Sequence, residues 1–137
     1  MLLSTLIHPE INAVLAGAGH SSLCLIADAN YPATTMVRPG TPCVHLGLRP
    51  GLPTIDDVLA TLLTAAPVEM ATFMDQDDGQ PPAMLQDYLR LLGTVPTQRL
   101  ERQAFYRQVC GSDLALVVVS GDVRPYANIL LTIGTNH

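Results

Sequence analysis

Leu114-Ala115-Leu116-Val117-Val118-Val119 is the longest unbroken apolar run in the chain. Six residues are too few for a buried helix, and three consecutive valines favour extended backbone. A strand with no polar alternation is one covered on both faces, as in a sheet sandwiched between helices. Leu23-Cys24-Leu25-Ile26-Ala27 repeats the pattern and stops at Asp28. Val68 to Met74 and Asn128 to Thr132 are two further strand candidates, with Glu69 the one charged residue of the former.

Helical periodicity fills the intervals. Pro9 to about Ala18 opens with proline at the first helical position and brings Ile11, Val14, Leu15 and Ala18 to one face. Thr54 is an N-cap, with Asp57 three residues on in a capping-box-like arrangement. Ile55, Val58, Leu59, Leu62 and Leu63 form the apolar stripe behind it. A third helix is expected from about Pro82 to Leu92, stopped by Gly93, and a short fourth from Arg102 to Cys110. Asn30 to Pro53 holds five prolines and three glycines and reads as loop, with one short strand near Cys43 to Leu46. Helices alternating with apolar strands predict an α/β protein: a three-layer α/β/α sandwich around a central, largely parallel but mixed sheet. At 137 residues, without repeat, linker or low-complexity tract, the chain is expected to be a single domain, 1–137.

Composition excludes several functions. The formal net charge is −5 and no basic stripe exists, so nucleic acid is not an expected partner. All seven basic residues are arginine, which excludes Schiff-base and P-loop lysines. No apolar run approaches the ~20 residues of a spanning helix, and no signal peptide is visible. The expected compartment is therefore the cytoplasm, with no membrane partner. Cys24, Cys43 and Cys110 form no C-x-x-C pair and read as reduced, packing thiols. His8, His20, His45 and His137 are scattered, so no metal site is expected. Charged residues are only 14%, against a usual ~25%, which points to surface buried in a homo-oligomer. Gly17-Ala18-Gly19-His20-Ser21-Ser22 fails as a dinucleotide fingerprint, because it leaves a helix for a strand and ends in serine.

What remains is polar residues at strand ends, where open α/β sheets gather their ligands. His20 precedes the first strand and Asp28 follows it, while Tyr126 and Asn128 flank the entry to the last. A histidine and a carboxylate suit proton transfer near neutrality. Each also has a plainer role: a helix-terminal charge for His20, a turn residue for Asp28, a core ring for Tyr126, a strand-edge amide for Asn128.

Gly19-His20, the strand, then Asp28-Ala29-Asn30-Tyr31-Pro32 resembles the opening signature of the ribose pyranase and fucose mutarotase family. Ser120-Gly121-Asp122 through Pro125-Tyr126-Ala127-Asn128-Ile129-Leu130-Leu131 and Gly134 resembles its closing signature, and Ala104-Phe105-Tyr106 its fucose branch. The resemblance runs from end to end. It implies interconversion of the cyclic forms of a free monosaccharide, without a cofactor. L-fucose anomers are the leading substrate reading. D-ribose pyranase activity and non-catalytic sugar binding are the alternatives. By the same resemblance His20 is the general acid, and Asp28, Arg102, Tyr126 and Asn128 contact the sugar. By the resemblance, family members form rings, commonly decamers, although dimers also occur, with pockets where subunits meet. Pro125 to Asn128 looks more like the ribose branch and Arg102 more like the fucose branch. The family's usual Asp two residues after the histidine is Ser22 here.

Overall fold

The computed structural model describes all 137 residues. Ten elements follow in order: α1 Pro9–Gly17, β1 Leu23–Ala27, β2 Cys43–His45, α2 Ile55–Leu62, β3 Val68–Met74, α3 Leu85–Leu92, β4 Thr97–Leu100, α4 Arg102–Val109, β5 Leu114–Val119 and β6 Ile129–Ile133. The strands form one six-stranded sheet in the order β2-β5-β1-β6-β3-β4. The pairs β2/β5, β5/β1 and β3/β4 are parallel, whereas β6 runs antiparallel to both β1 and β3. Five strands therefore point one way, and only β6 opposes them.

The two all-apolar runs, β1 and β5, lie side by side inside the sheet, as their lack of alternation requires. Successive side chains divide between two cores. Cys24, Ile26, Leu116, Val118, Phe73 and Ile129 face α1, α2 and α3, packing on Ile11, Ile55, Leu59, Tyr88 and Leu92. Leu25, Ala27, Leu114, Val117 and Leu130 face the other way, onto Phe105 and Val109 of α4 and onto Tyr31. The three-layer sandwich is therefore present, with one of its outer layers built from a single helix and a loop.

Local chemistry sets the element ends. Asp57 N–H donates to Thr54 Oγ1 and Thr54 N–H to Asp57 Oδ2, both at 3.1 Å, completing the capping box of α2. The turn after β5 demands Gly121: a Cβ there would stand 2.2 Å from the Leu52 carbonyl oxygen.

Three expectations change. The strand β4 was not anticipated, because Thr97-Gln98-Arg99-Leu100 is polar and mostly exposed at a sheet edge, where no burial imprints a pattern. Helix α3 starts at Leu85 instead of Pro82; the preceding residues form a turn. Burial of the thiols holds for Cys24, pushed up to about 12 by burial, but Cys110 is exposed just past α4.

Candidate functional site

The direction of the strands decides which residues can meet. Asp28 follows the carboxyl end of β1, Met74 ends β3, Arg102 opens α4 just beyond β4, and Asn128 precedes the reversed β6. All four therefore lie at one edge of the sheet. There they line a cleft of about 270 Å³ together with Tyr31, Tyr106, Val123 and Tyr126. Segments about a hundred residues apart in sequence, around Asp28 and around Asn128, are thus neighbours across the β1/β6 pair.

Each polar side chain is held. The Asp28 N–H donates to Asn128 Oδ1 at 2.8 Å, and the Asn30 N–H donates to Asp28 Oδ1 at 2.9 Å. Asn128 thereby spends its carbonyl on the backbone and keeps its NH₂ for donation. Both residues are buried. Burial pushes the Asp28 carboxyl above the ordinary carboxylate range, although the Asn30 and Tyr31 N–H groups and Asn128 draw it partly back. Arg102 pairs loosely with Asp77 at 3.5 Å and stays half exposed, so its guanidinium is available to a ligand.

Aromatic rings form the remaining wall. Tyr31 and Tyr106 meet edge to face at 5.6 Å, and the Tyr31 hydroxyl donates to the Met36 carbonyl at 2.7 Å. Tyr106 lies one helical turn beyond Arg102, on the same face of α4. Met74, Val123 and Pro32 complete an apolar side. The sequence reading did not assign these wall residues. For Tyr106 the i, i+4 spacing from Arg102 was the available signal.

Beneath the cleft, Arg124 grips Asp122 through Nε and Nη2, at 3.0 and 2.6 Å, and reaches Asp56 of α2. Asp122 also accepts the Ile55 N–H at the start of α2, at 3.0 Å. Burial opposes ionisation of Asp122, but Arg124 and these N–H groups outweigh it and hold the carboxyl below its usual range. The Tyr88 hydroxyl donates to the Ala127 carbonyl at 2.8 Å. This scaffold fixes the Tyr126 segment from below.

His20 is elsewhere. It precedes β1, and a five-residue strand at ~3.3 Å per residue puts roughly 16 Å between the two ends. Within one chain Asp28 therefore does not hold His20. The imidazole instead meets the Glu69 carboxylate, with Nε2 at 3.0 and 2.9 Å from its two oxygens. It borders a second polar cleft of about 270 Å³ with Ser22, Arg38 and Asp113. The structure thus gathers Asp28, Arg102, Tyr126 and Asn128, and leaves His20 at the opposite edge. One feature joins the two places. The only non-glycine residues with positive φ are Ser21, at 71°, beside His20, and Tyr126, at 58°. Such backbone costs energy, and it concentrates at functional sites.

A carboxylate, a guanidinium, a phenol and an amide around a half-apolar cleft are groups able to hydrogen-bond a small polyhydroxylated ligand. Over residues 1–136 the sequence matches the RbsD / FucU transport protein family, and the chain belongs to that family. A D-ribose pyranase of Symbiobacterium thermophilum is 34% identical over 131 residues, covering 96% of this chain and 95% of the relative. A D-ribose pyranase of Paracidovorax citrulli is 31% identical over the same shares of the two chains. Among solved structures, Bacillus subtilis RbsD complexed with D-ribose superposes with a TM-score of 0.84 at 26% identity, over 100% of both chains. FucU from Bifidobacterium longum gives 0.80 at 29% identity, over 96% of this chain and 97% of that one.

Proposed function

We propose that the protein is an isomerase that opens and recloses the ring of a free monosaccharide. The observation that carries this is the convergence of Asp28, Arg102, Tyr126 and Asn128, from three distant segments, on one cleft in a chain of this family. Ring opening needs a proton delivered to the ring oxygen and one removed from the anomeric hydroxyl. The bond from the anomeric carbon to the ring oxygen breaks and a carbonyl forms at the anomeric position. Rotation about the next carbon–carbon bond and reclosure reverse both transfers, so nothing is consumed. An acid and a base each supply about 10²–10⁴-fold.

Asp28 is the base in this reading, directly or through water. Its raised carboxyl is closer in basicity to neutrality than an exposed aspartate. Arg102 and the Asn128 NH₂ hold hydroxyls, and the Tyr126 phenol donates to a further oxygen. His20 is the acid in this reading, presented to the cleft by a second copy of the chain; its distance from Asp28 within one chain supports that arrangement. The low charge of the chain and the exposed Leu2, Leu3, Ile7, Leu48 and Val123 support such an assembly.

L-fucose is the leading substrate. The apolar side of the cleft, Pro32, Met74 and Val123, suits the methyl group that distinguishes this sugar, and Arg102 carries the fucose-branch likeness. D-ribose is the second reading, favoured by the names of the curated relatives and by Pro125-Tyr126-Ala127-Asn128. Saturation-transfer NMR on equilibrated L-fucose and D-ribose tests both. Accelerated exchange between ring forms with the wild-type protein, lost in His20→Ala, is the expected result. Exchange unchanged by wild-type protein for both sugars, or full activity in a folded His20→Ala variant, would overturn the assignment.

A further inference from the structure

We propose that Glu69 is the positioning residue of His20, selecting which imidazole nitrogen faces the sugar; this rests on the reading of His20 as the acid. Both oxygens of the Glu69 carboxylate lie within 3.0 Å of Nε2. A carboxylate only accepts, so Nε2 is the nitrogen that donates to it. Nδ1 is then the nitrogen left to deliver a proton to a ring oxygen and recover it on reclosure.

Three features of the backbone show that the pair is built. Register between β3 and β6 slips between Val68 and Met70, which makes Glu69 the extra residue of an irregularity in the strand. Bulges of this kind re-aim a side chain. Here the side chain is directed across the end of β6 toward β1. On the other side of the pair, the Ser21 N–H donates to the Ile133 carbonyl at 2.9 Å, and the Ile133 N–H donates to the Ser22 carbonyl at 2.8 Å. The positive φ of Ser21 is part of this tie, which anchors the residue next to His20 to the same strand end. Finally Gly134, immediately after β6, lets that strand end pack closely on the Glu69 stem: a Cβ there would stand 3.3 Å from the Glu69 Cβ. Two side chains 49 positions apart are thus brought together across one shared strand end. Within one chain no residue of the Asp28 cleft hydrogen-bonds His20, and Glu69 is the carboxylate that does.

The full-length protein carries the test, as wild type, Glu69→Ala and the near-isosteric Glu69→Gln, with His20→Ala to assign the imidazole signals. In Glu69→Ala, kcat for ring-form exchange is expected to fall about tenfold with KM unchanged. The His20 Nε2 resonance should shift while those of His8, His45 and His137 stay. Glu69→Gln, which keeps an accepting oxygen, should recover part of kcat. Wild-type kcat in folded Glu69→Ala, with or without a shifted Nε2 signal, would overturn the proposal while leaving the isomerase reading intact. An unshifted Nε2 signal would overturn it even in a protein with no measurable exchange, because the resonance reports the pair independently of turnover.

Discussion

Asp28 combines a structural place with the chemical role proposed for it. Its carboxylate accepts the Asn30 N–H, as a turn aspartate does, and it also lines the cleft. Asp28→Asn keeps that acceptor and removes a charge that burial disfavours, so the variant should be at least as stable as wild type at neutral pH while losing exchange activity. Thermal unfolding and NMR exchange measured on the same sample check this. The pH dependence follows from the raised carboxyl. A base works deprotonated, so the rate should fall as pH drops through a value above the ordinary aspartate range. Linkage for the same group runs the other way: the folded state binds this proton more tightly, so the stability it contributes is present in acid and lost as pH rises through the folded pKa. Asp122 has the opposite sign, contributing stability that disappears as pH falls through its lowered pKa. Asp28 and Asn128 were legible in the sequence because each stands where an apolar run begins or stops. Tyr31 and Met74 were not, since a buried ring and a strand-ending methionine look the same whether they meet core or ligand.

At the scale of elements, the turn after β5 carries the cleft. Asp122, itself buried, ties the start of α2, Arg124 and the approach to Tyr126 into one cluster. Asp122→Ala leaves the Ile55 N–H without its acceptor and the Arg124 guanidinium with Asp56 alone, a loss of about 2 kcal/mol. Denaturant unfolding should show it as a lower midpoint with an unchanged slope. Gly121→Ala forces a Cβ against the Leu52 and Arg49 carbonyls, so it should destabilise the fold and raise KM by displacing Tyr126. Tyr88→Phe removes one buried hydrogen bond to Ala127, worth about 1 kcal/mol, with no change of shape. Element type was legible wherever burial repeats along the chain: the Thr54–Asp57 capping box and the apolar runs of β1 and β5 predicted their own structures. The edge strand β4 was not, because it is defined by its pairing with β3 and not by any pattern of its own. Strand order was equally hidden. That β6 inserts between β1 and β3, bringing Asn128 beside Asp28, is a long-range pairing that no local window encodes.

At the scale of the whole molecule, the central feature is a separation. The cleft and His20 occupy opposite edges of one sheet, so under the proposed assignment of His20 as the acid a second copy must bring it to the cleft. Sequence order hides this, because His20 and Asp28 are close in the chain and only the straightness of β1 drives them apart. Two copies related by symmetry can place one edge against the other, and each interface then completes a site. Sedimentation should therefore show an oligomer. Substitution of an exposed apolar residue such as Leu48 by Glu should weaken assembly and activity together, without loss of the monomer fold.

The most direct test is subunit mixing. His20→Ala and Asp28→Asn are each purified, and ring-form exchange is measured by saturation-transfer NMR for each alone and for the two after dissociation and reassembly together. The account predicts near-zero activity for each alone, with recovery to about a quarter of wild type on random mixing, because some interfaces then combine an intact His20 with an intact Asp28. Two inactive variants that stay inactive after demonstrated reassembly would contradict the shared site and place both residues in one subunit's chemistry.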